Sequence, residues 1–324
     1  MSFKKKYQDH IQPFWQKHLN RAEFKTADGI TIAFAHIPFE PSNTQPCRGT
    51  CVVSPGRIEC YEKYQELAYE LHARGYHVYI IDHRGQGHSS RLLSNLHKGY
   101  VKKFHDYVDD LHQLITEFVQ PNASGPLLLL GHSMGSAIGM RYMQTYPDVF
   151  YKAILNAPMF GIHTGAIPQG FAKAMVQRMW ELEQKIGEES WYFLGQVNYQ
   201  SKPFQDNLLT HDHERYAWLK DLYEDNPAIQ LGGVTVHWLL QAIRAMDQIL
   251  IQANETLPEL LILQAEHDQI VDNEAQNQFC QKRFGSQWQE HLKLIPNARH
   301  EIFIETDKKR TLAWRYMDAF LGHD

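Results

Sequence analysis

Leu127-Leu128-Leu129-Leu130-Gly131-His132-Ser133-Met134-Gly135-Ser136-Ala137 decides the fold. Four consecutive leucines have the length of a buried strand, and the residues from Ser133 to Tyr146 repeat apolar side chains at helical spacing until Pro147 stops them. Between strand and helix stands G-x-S-x-G. At such a junction the serine occupies a strained turn that thrusts its hydroxyl beyond the end of a sheet. Small residues two positions before and two after it let strand and helix approach, and Gly131, Gly135 and Ala137 meet that need. The pentapeptide alone is a moderate signal, open to the reading of a chance glycine-rich turn; the flanking strand and helix strengthen it.

Outward from this junction the pattern alternates. Thr50 to Ser54 reads as a strand, Tyr61 to Arg74 as a helix closed by Gly75, and His77 to Asp82 as a strand. A helix follows from Asp106 to Val119, then the leucine strand, the Ser133 helix and a strand from Lys152 to Leu155. Repeated βα units predict a mostly parallel, doubly wound sheet with helices on both faces. Upstream, Glu23 to Thr26 and Ile30 to Ile37 flank Asp28-Gly29, the signature of an antiparallel hairpin. The alternation fails from Pro158 to Thr256, which reads as an inserted helical cap over 158–256. It resumes with a strand from Glu259 to Gln264, a helix from Asn273 to Phe284, a strand from His291 to Ile295 and a helix from Lys308 to Leu321. The core is then 21–157 plus 257–324. The cap's aromatics are no denser than the 12% of the whole chain and do not themselves point to a lipid pocket.

Residues 1–20 stand apart. Phe3, Tyr7, Ile11, Phe14, Trp15 and Leu19 recur at helical spacing, and residues 1–25 hold six Lys or Arg against two acids. Such a segment either packs on its own fold with a solvated basic side or touches anionic lipid. Packing is the expected outcome, because every globular helix has this periodicity.

Composition narrows the classes. The 324 residues carry a formal charge of −5, which argues against a general nucleic-acid binder. No apolar run approaches the roughly 18 residues of a membrane span, and no secretory signal is visible behind Lys4-Lys5-Lys6. A cytoplasmic chain is expected, with contact at the inner face of the cytoplasmic membrane as the alternative. Cys47, Cys51, Cys60 and Cys280 are too few and too irregular for a disulfide scaffold.

A serine hydroxyl needs a base, and the base needs an orienting acid. His132 leaves the backbone in another direction from Ser133. In this kind of sheet the acid and then the base follow the serine in the chain. Asp268 lies just past the strand ending at Gln264, and His300 just past the strand ending at Ile295. Both are loops at carboxyl ends of strands, so Ser133, Asp268 and His300 can meet although 135 and 32 residues separate them. Asp272 and Glu266 are rival acids, though Asp272 suits a helix cap better. His291 should sit at the wrong end of its strand, and His323 is terminal. Two main-chain N–H groups are expected to receive the oxyanion. One is Met134, at the start of the serine's helix; the other is Arg57, in Pro55-Gly56-Arg57. The Arg57 side chain is a candidate for a lipid phosphate, against pairing with Glu59 or Glu62. Gly85-x-Gly87 lacks the third glycine of a dinucleotide loop and reads as structural. His211-Asp212-His213 lacks the further ligands of a metal site. No metal and no cofactor is expected.

These residues resemble a known group. Gly131 to Gly135, Asp82-x-Arg84-Gly85-x-Gly87-x-Ser89 and Ala298-Arg299-His300-Glu301 are similar to the α/β-hydrolase branch that contains monoglyceride lipases and bacterial lysophospholipases. Pro55 to Glu59, Ile80 to Gly87, Ser90-Arg91-Leu92-Leu93 and Phe104 to Leu111 resemble its inner-membrane-associated lysophospholipase subgroup. Pro55-Gly56 replaces the branch's usual His-Gly. The resemblance covers most of 20–320 and is weakest in the cap. It implies a metal-free serine esterase acting on a single-chain lipid, first of all a lysophospholipid, with acyl transfer to another lipid as an added activity. A monoacylglycerol, another carboxylester or a short peptide is an alternative substrate. A lipid-binding module that has lost turnover is the non-enzymatic alternative.

Overall fold

A computed structural model describes residues 1–42, 45–165 and 167–322. Two short helices, α1 (Phe3–Lys6) and α2 (Gln12–His18), joined by a π turn, precede the hairpin of β1 (Asn20–Lys25) and β2 (Thr31–Ile37). Then follow β3 (Gly49–Ser54), α3 (Gln65–His72), β4 (Tyr76–Ile81), α4 (His105–Leu114), β5 (Leu127–His132), α5 (Met134–Thr145) and β6 (Lys152–Asn156). The 158–256 stretch holds α6 (Gln169–Ile186), α7 (His213–Asp225) and α8 (Val236–Ile251). The chain closes with β7 (Glu259–Ala265), α9 (Asn273–Phe284), α10 (Trp288–His291), β8 (Leu292–Ile295) and α11 (Asp307–Leu321).

The eight strands form one sheet in the order β1-β2-β4-β3-β5-β6-β7-β8. β1 with β2, and β2 with β4, are antiparallel; every other pairing is parallel. β5 is buried at all six positions, as a strand covered on both faces must be. One apolar cluster, with Leu129, Ile138 and Phe279, lies on one face of the sheet; the other, with Leu130, Leu67 and Trp314, lies on the opposite face. From β3 the chain steps to β4 on one side and then to β5 on the other. The loops after β3 and β5 therefore splay apart at a switch point, where open α/β sheets hold their ligands.

The N-terminal segment packs on the fold. Phe3, Ile11 and Trp15 are buried, and Lys6 pairs with Glu66 and Glu70 of α3 at 3.0 and 3.1 Å. The Arg215 guanidinium of α7 stacks on Phe3, so this segment ties α7 to α3. Among the described residues no helix is long and apolar enough to cross a membrane. Within the stretch 158–256, one helix reaches the sheet's own helices. α8 packs against α5, and Trp238, Leu239, Ala242 and Ile249 enter the main core. The sequence shows only that strands are absent here, not which helices return to the sheet.

Candidate active site

The serine's turn is built by close approach. Ser133 has φ 51° and ψ −117°, a region that costs a non-glycine residue about 1–3 kcal/mol. Surrounding contacts hold it there: its N–H donates to Asn156 O at 2.9 Å, and its carbonyl accepts from Met159. A Cβ on Gly131 would meet Ser136 Cα at 2.7 Å, and one on Gly135 would meet Ser54 O at 1.9 Å. Only glycine lets α5 start against the end of β3. That contact sets the start of α5, which Met134 opens, against Ser54 and Pro55, which lead to Arg57. Among the described residues neither N–H has an acceptor of its own.

The other two expected residues meet. His300 Nδ1 lies 2.7 Å from Asp268 Oδ2, both side chains buried. Main chain joins their loops, His267 N–H donating to Ala298 O at 2.8 Å. Asp268 Oδ1 accepts the N–H groups of Ile270 and Val271, which fixes the carboxylate's direction. Burial pushes the Asp268 carboxyl up, but the His300 imidazole and these bonds outweigh it and hold it below its ordinary value. The His300 ring sits 4.9 Å from that of His132, the residue that precedes Ser133 in the chain. Ser133 is buried as a residue, and its Oγ makes no hydrogen bond among the described residues. In unliganded sites the serine–imidazole bond is often long and closes with substrate.

The rivals have other work. Glu266 accepts from Asn297 N–H at 2.7 Å. Asp272 caps α9 through Glu274 N–H, and His291 lies before β8, stacked on Phe284. His323 falls outside the described residues. Asp212 caps α7, and His211 Nδ1 lies 2.7 Å from Glu305. The Gly85-x-Gly87 loop is a brace: Gln86 Nε2 donates to the carbonyls of Gly56 and Glu59. Arg57 pairs with neither Glu59 nor Glu62. Its side chain enters the inserted region, donating to Gly232 O at 2.9 Å and Gly233 O at 2.6 Å and lying over Trp238. Both bonds come from Nη2, and Nε is buried with no partner among the described residues.

Behind the elbow lies a buried charge cluster. Glu59 accepts from Gly56 N–H, Tyr64 O–H and Lys63 Nζ, each at 2.5 Å. Lys63 also reaches Glu301 at 2.5 Å, and His132 Nε2 lies 3.1 Å from Glu301. Glu59, His132 and Glu301 have the spacing of metal ligands, but the Lys63 ammonium already bridges the two carboxylates. Burial opposes the charge on Glu301, yet His132 and Lys63 hold its carboxyl well below the ordinary range. Burial likewise opposes charge on His132, and Glu301 and Glu59 overcome it, raising its pKa. Glu59, His132 and Glu301 each stand in a stretch that carries the family resemblance, but nothing in the sequence joins these three stretches to one another or to Lys63.

A pH dependence follows. Asp268 and Glu301 have depressed native pKa values. Each contributes stability that is present above its unfolded pKa of about 4 and is lost as pH falls through the native value. Urea unfolding between pH 3 and 7 should show stability falling below about pH 4, and Glu301→Gln should make that fall shallower. An unchanged acid limb in Glu301→Gln would contradict the assignment.

Known proteins share the chain's sequence pattern and fold. The sequence profile of the serine aminopeptidase S33 family matches residues 45–307. The chain is 38% identical over 319 residues to lysophospholipase L2 of Escherichia coli K12, covering 97% of this chain and 91% of that protein. It is 31% identical over 296 residues to the probable lysophospholipase L2 of Haemophilus influenzae, covering 90% and 89%. The crystal structure of a soluble variant of Saccharomyces cerevisiae monoglyceride lipase superposes with a TM-score of 0.70 at 19% identity, over 94% of this chain and 95% of that one, which speaks for the fold. Because the family match covers residues 45–307, most of the chain, the chain belongs to the S33 serine aminopeptidase family and is a serine hydrolase with the α/β-hydrolase fold.

Proposed function

We propose that this hydrolase releases the fatty acid from a single-chain lipid ester, a lysophospholipid before others, with Ser133, His300 and Asp268 as its triad. The observation that carries the substrate class is a cavity of about 360 Å³ between α6, α8 and the loop after β6. Phe160, Val176, Leu239, Ile243 and Met246 make it apolar, and the volume suits a small-molecule ligand. It adjoins the site through the main chain: Phe160 follows Met159, whose N–H donates to Ser133 O, and Ile162 bridges to Val271 in the acid's loop. The 38% identity to a lysophospholipase points to the same class.

Ser133 Oγ attacks the ester carbonyl while His300 removes its proton. Met134 and Arg57 N–H groups receive the oxyanion. His300 then protonates the leaving glycerol oxygen, and Asp268 holds the ring's tautomer and stabilises its charged form. Water repeats the sequence on the acyl-enzyme; a lipid hydroxyl in its place would give acyl transfer.

The test compares lysophosphatidylethanolamine, lysophosphatidylcholine and monoacylglycerol side by side, with products identified by mass spectrometry and Ser133→Ala as blank. Free fatty acid from the lysophospholipids, at a higher kcat/KM than from monoacylglycerol, is expected. Turnover of monoacylglycerol alone would shift the substrate; a diacyl product would reveal transfer. The engaged Arg57 side chain adds a prediction. Arg57→Gln should lower kcat/KM by about tenfold for lysophospholipid and for neutral monoacylglycerol equally, since a charge-assisted anchor between the oxyanion loop and Gly232-Gly233 is lost. A loss confined to the lysophospholipid would restore the phosphate role.

A further inference from the structure

α8 has two working faces. Leu239, Ile243 and Met246 line the apolar cavity. Gln241, Arg244, Ala245 and Gln248, on another face at helical spacing, line a separate cleft of about 240 Å³ between α8, α4 and α5. Lys103, His105 and Arg141 complete its polar lining, and no carboxylate lines it.

The cations there are not neutralised. Among the described residues neither Lys103 Nζ nor the Arg244 guanidinium has a carboxylate partner; Arg244 lies over the Trp180 ring. Arg141 is half-buried and donates to Gln144 Oε1 at 2.7 Å and to Gln252 Oε1, both neutral amides. These bonds orient the guanidinium and leave its charge whole. Burial lowers the Arg141 pKa, and Glu255 opposes that from a distance. The nearby acids are engaged: Asp109 faces His105 at 3.4 Å, and Asp106 accepts from Lys103 N–H and faces Arg84 at 3.6 Å. On a chain of net charge −5, three such cations around one cleft are a local reversal of sign. Two guanidinium forks with an ammonium suit the oxygens of a phosphate, and the amides of Gln241 and Gln248 add neutral donors.

We propose that this cleft binds a phosphate group through Arg141, Arg244 and Lys103, at a site separate from the serine. The group belongs either to a small phosphate ester in solution or to the headgroup of a phospholipid in a bilayer. The assignment is independent of what Ser133 does.

Calorimetric titration with inorganic phosphate and glycerol 3-phosphate at fixed ionic strength tests it, beside cosedimentation with phosphatidylcholine vesicles with and without phosphatidic acid. The wild type is compared with Lys103→Ala/Arg244→Ala. Both side chains are exposed and outside the catalytic machinery, so kcat on a soluble short-chain ester should not change. The wild type should bind phosphate, and the double variant should bind about tenfold or more weakly, because charge-assisted bonds are lost. A loss of phosphatidic-acid binding in the variant assigns the headgroup; loss with the soluble ligands alone assigns the free ester. Should the double variant fail to fold, Arg244→Gln carries the same comparison. No binding by the wild type, or equal binding by wild type and variant to every probe, overturns the proposal.

Discussion

Ser133→Ala should lower kcat by about 10⁴-fold or more and leave the fold intact. The hydroxyl makes no hydrogen bond among the described residues, so its removal leaves no buried partner unsatisfied. The turn's unusual φ and ψ are held by Asn156, Met159 and the glycines on either side, not by the hydroxyl. Alanine inherits the same backbone, and what disappears is the atom that accepts the acyl group. Residual turnover would come from binding and from the N–H groups of Met134 and Arg57. Steady-state kinetics on lysophosphatidylcholine, with a thermal melt as control, checks this. A variant that keeps most of its activity, or one that loses activity because it no longer folds, would contradict the reading.

Lys63→Met should destabilise the protein by about 3–5 kcal/mol, the cost of stripping a buried ion pair of one partner. Glu59 and Glu301 would then face each other across a water-poor site without the ammonium that joins them. Burial opposes the charge on Glu301, so the expected response to losing the ammonium is a stability that depends more steeply on pH. Activity should fall with stability, because Glu59 also holds the Gly56 N–H at the root of the oxyanion loop. Denaturant unfolding at pH 7 gives the number. A change below about 1 kcal/mol would mean that the cluster is wetter or more adaptable than its burial indicates. Lys63→Met combined with Glu59→Gln and Glu301→Gln should recover part of the loss, since replacing all members removes the uncompensated charges.

The parallel sheet was legible because strand and helix leave different periods in the chain, and the turn at Ser133 because only glycine fits where a Cβ would strike Ser136 or Ser54. The meeting of Asp268 and His300 was legible from their position just past the carboxyl ends of strands. The engagement of Arg57 was not. Its partners, the carbonyls of Gly232 and Gly233, lie about 175 residues away and are main chain, which carries no side-chain signature. The return of α8 to the core was hidden for a related reason: an amphipathic helix announces an apolar face, not the surface that covers it. The Glu59–Lys63–Glu301 cluster joins residues 238 apart, and only their burial distinguishes them from solvated charges.

Mass-spectrometric mapping of the adduct formed by a fluorophosphonate probe tests the central assignment most directly. The account predicts one covalent phosphonyl group, on the peptide containing Gly131 to Gly135 and at Ser133, absent in Ser133→Ala and formed far more slowly in His300→Ala. Attachment at another residue, or no reaction with the folded wild-type protein, would contradict it.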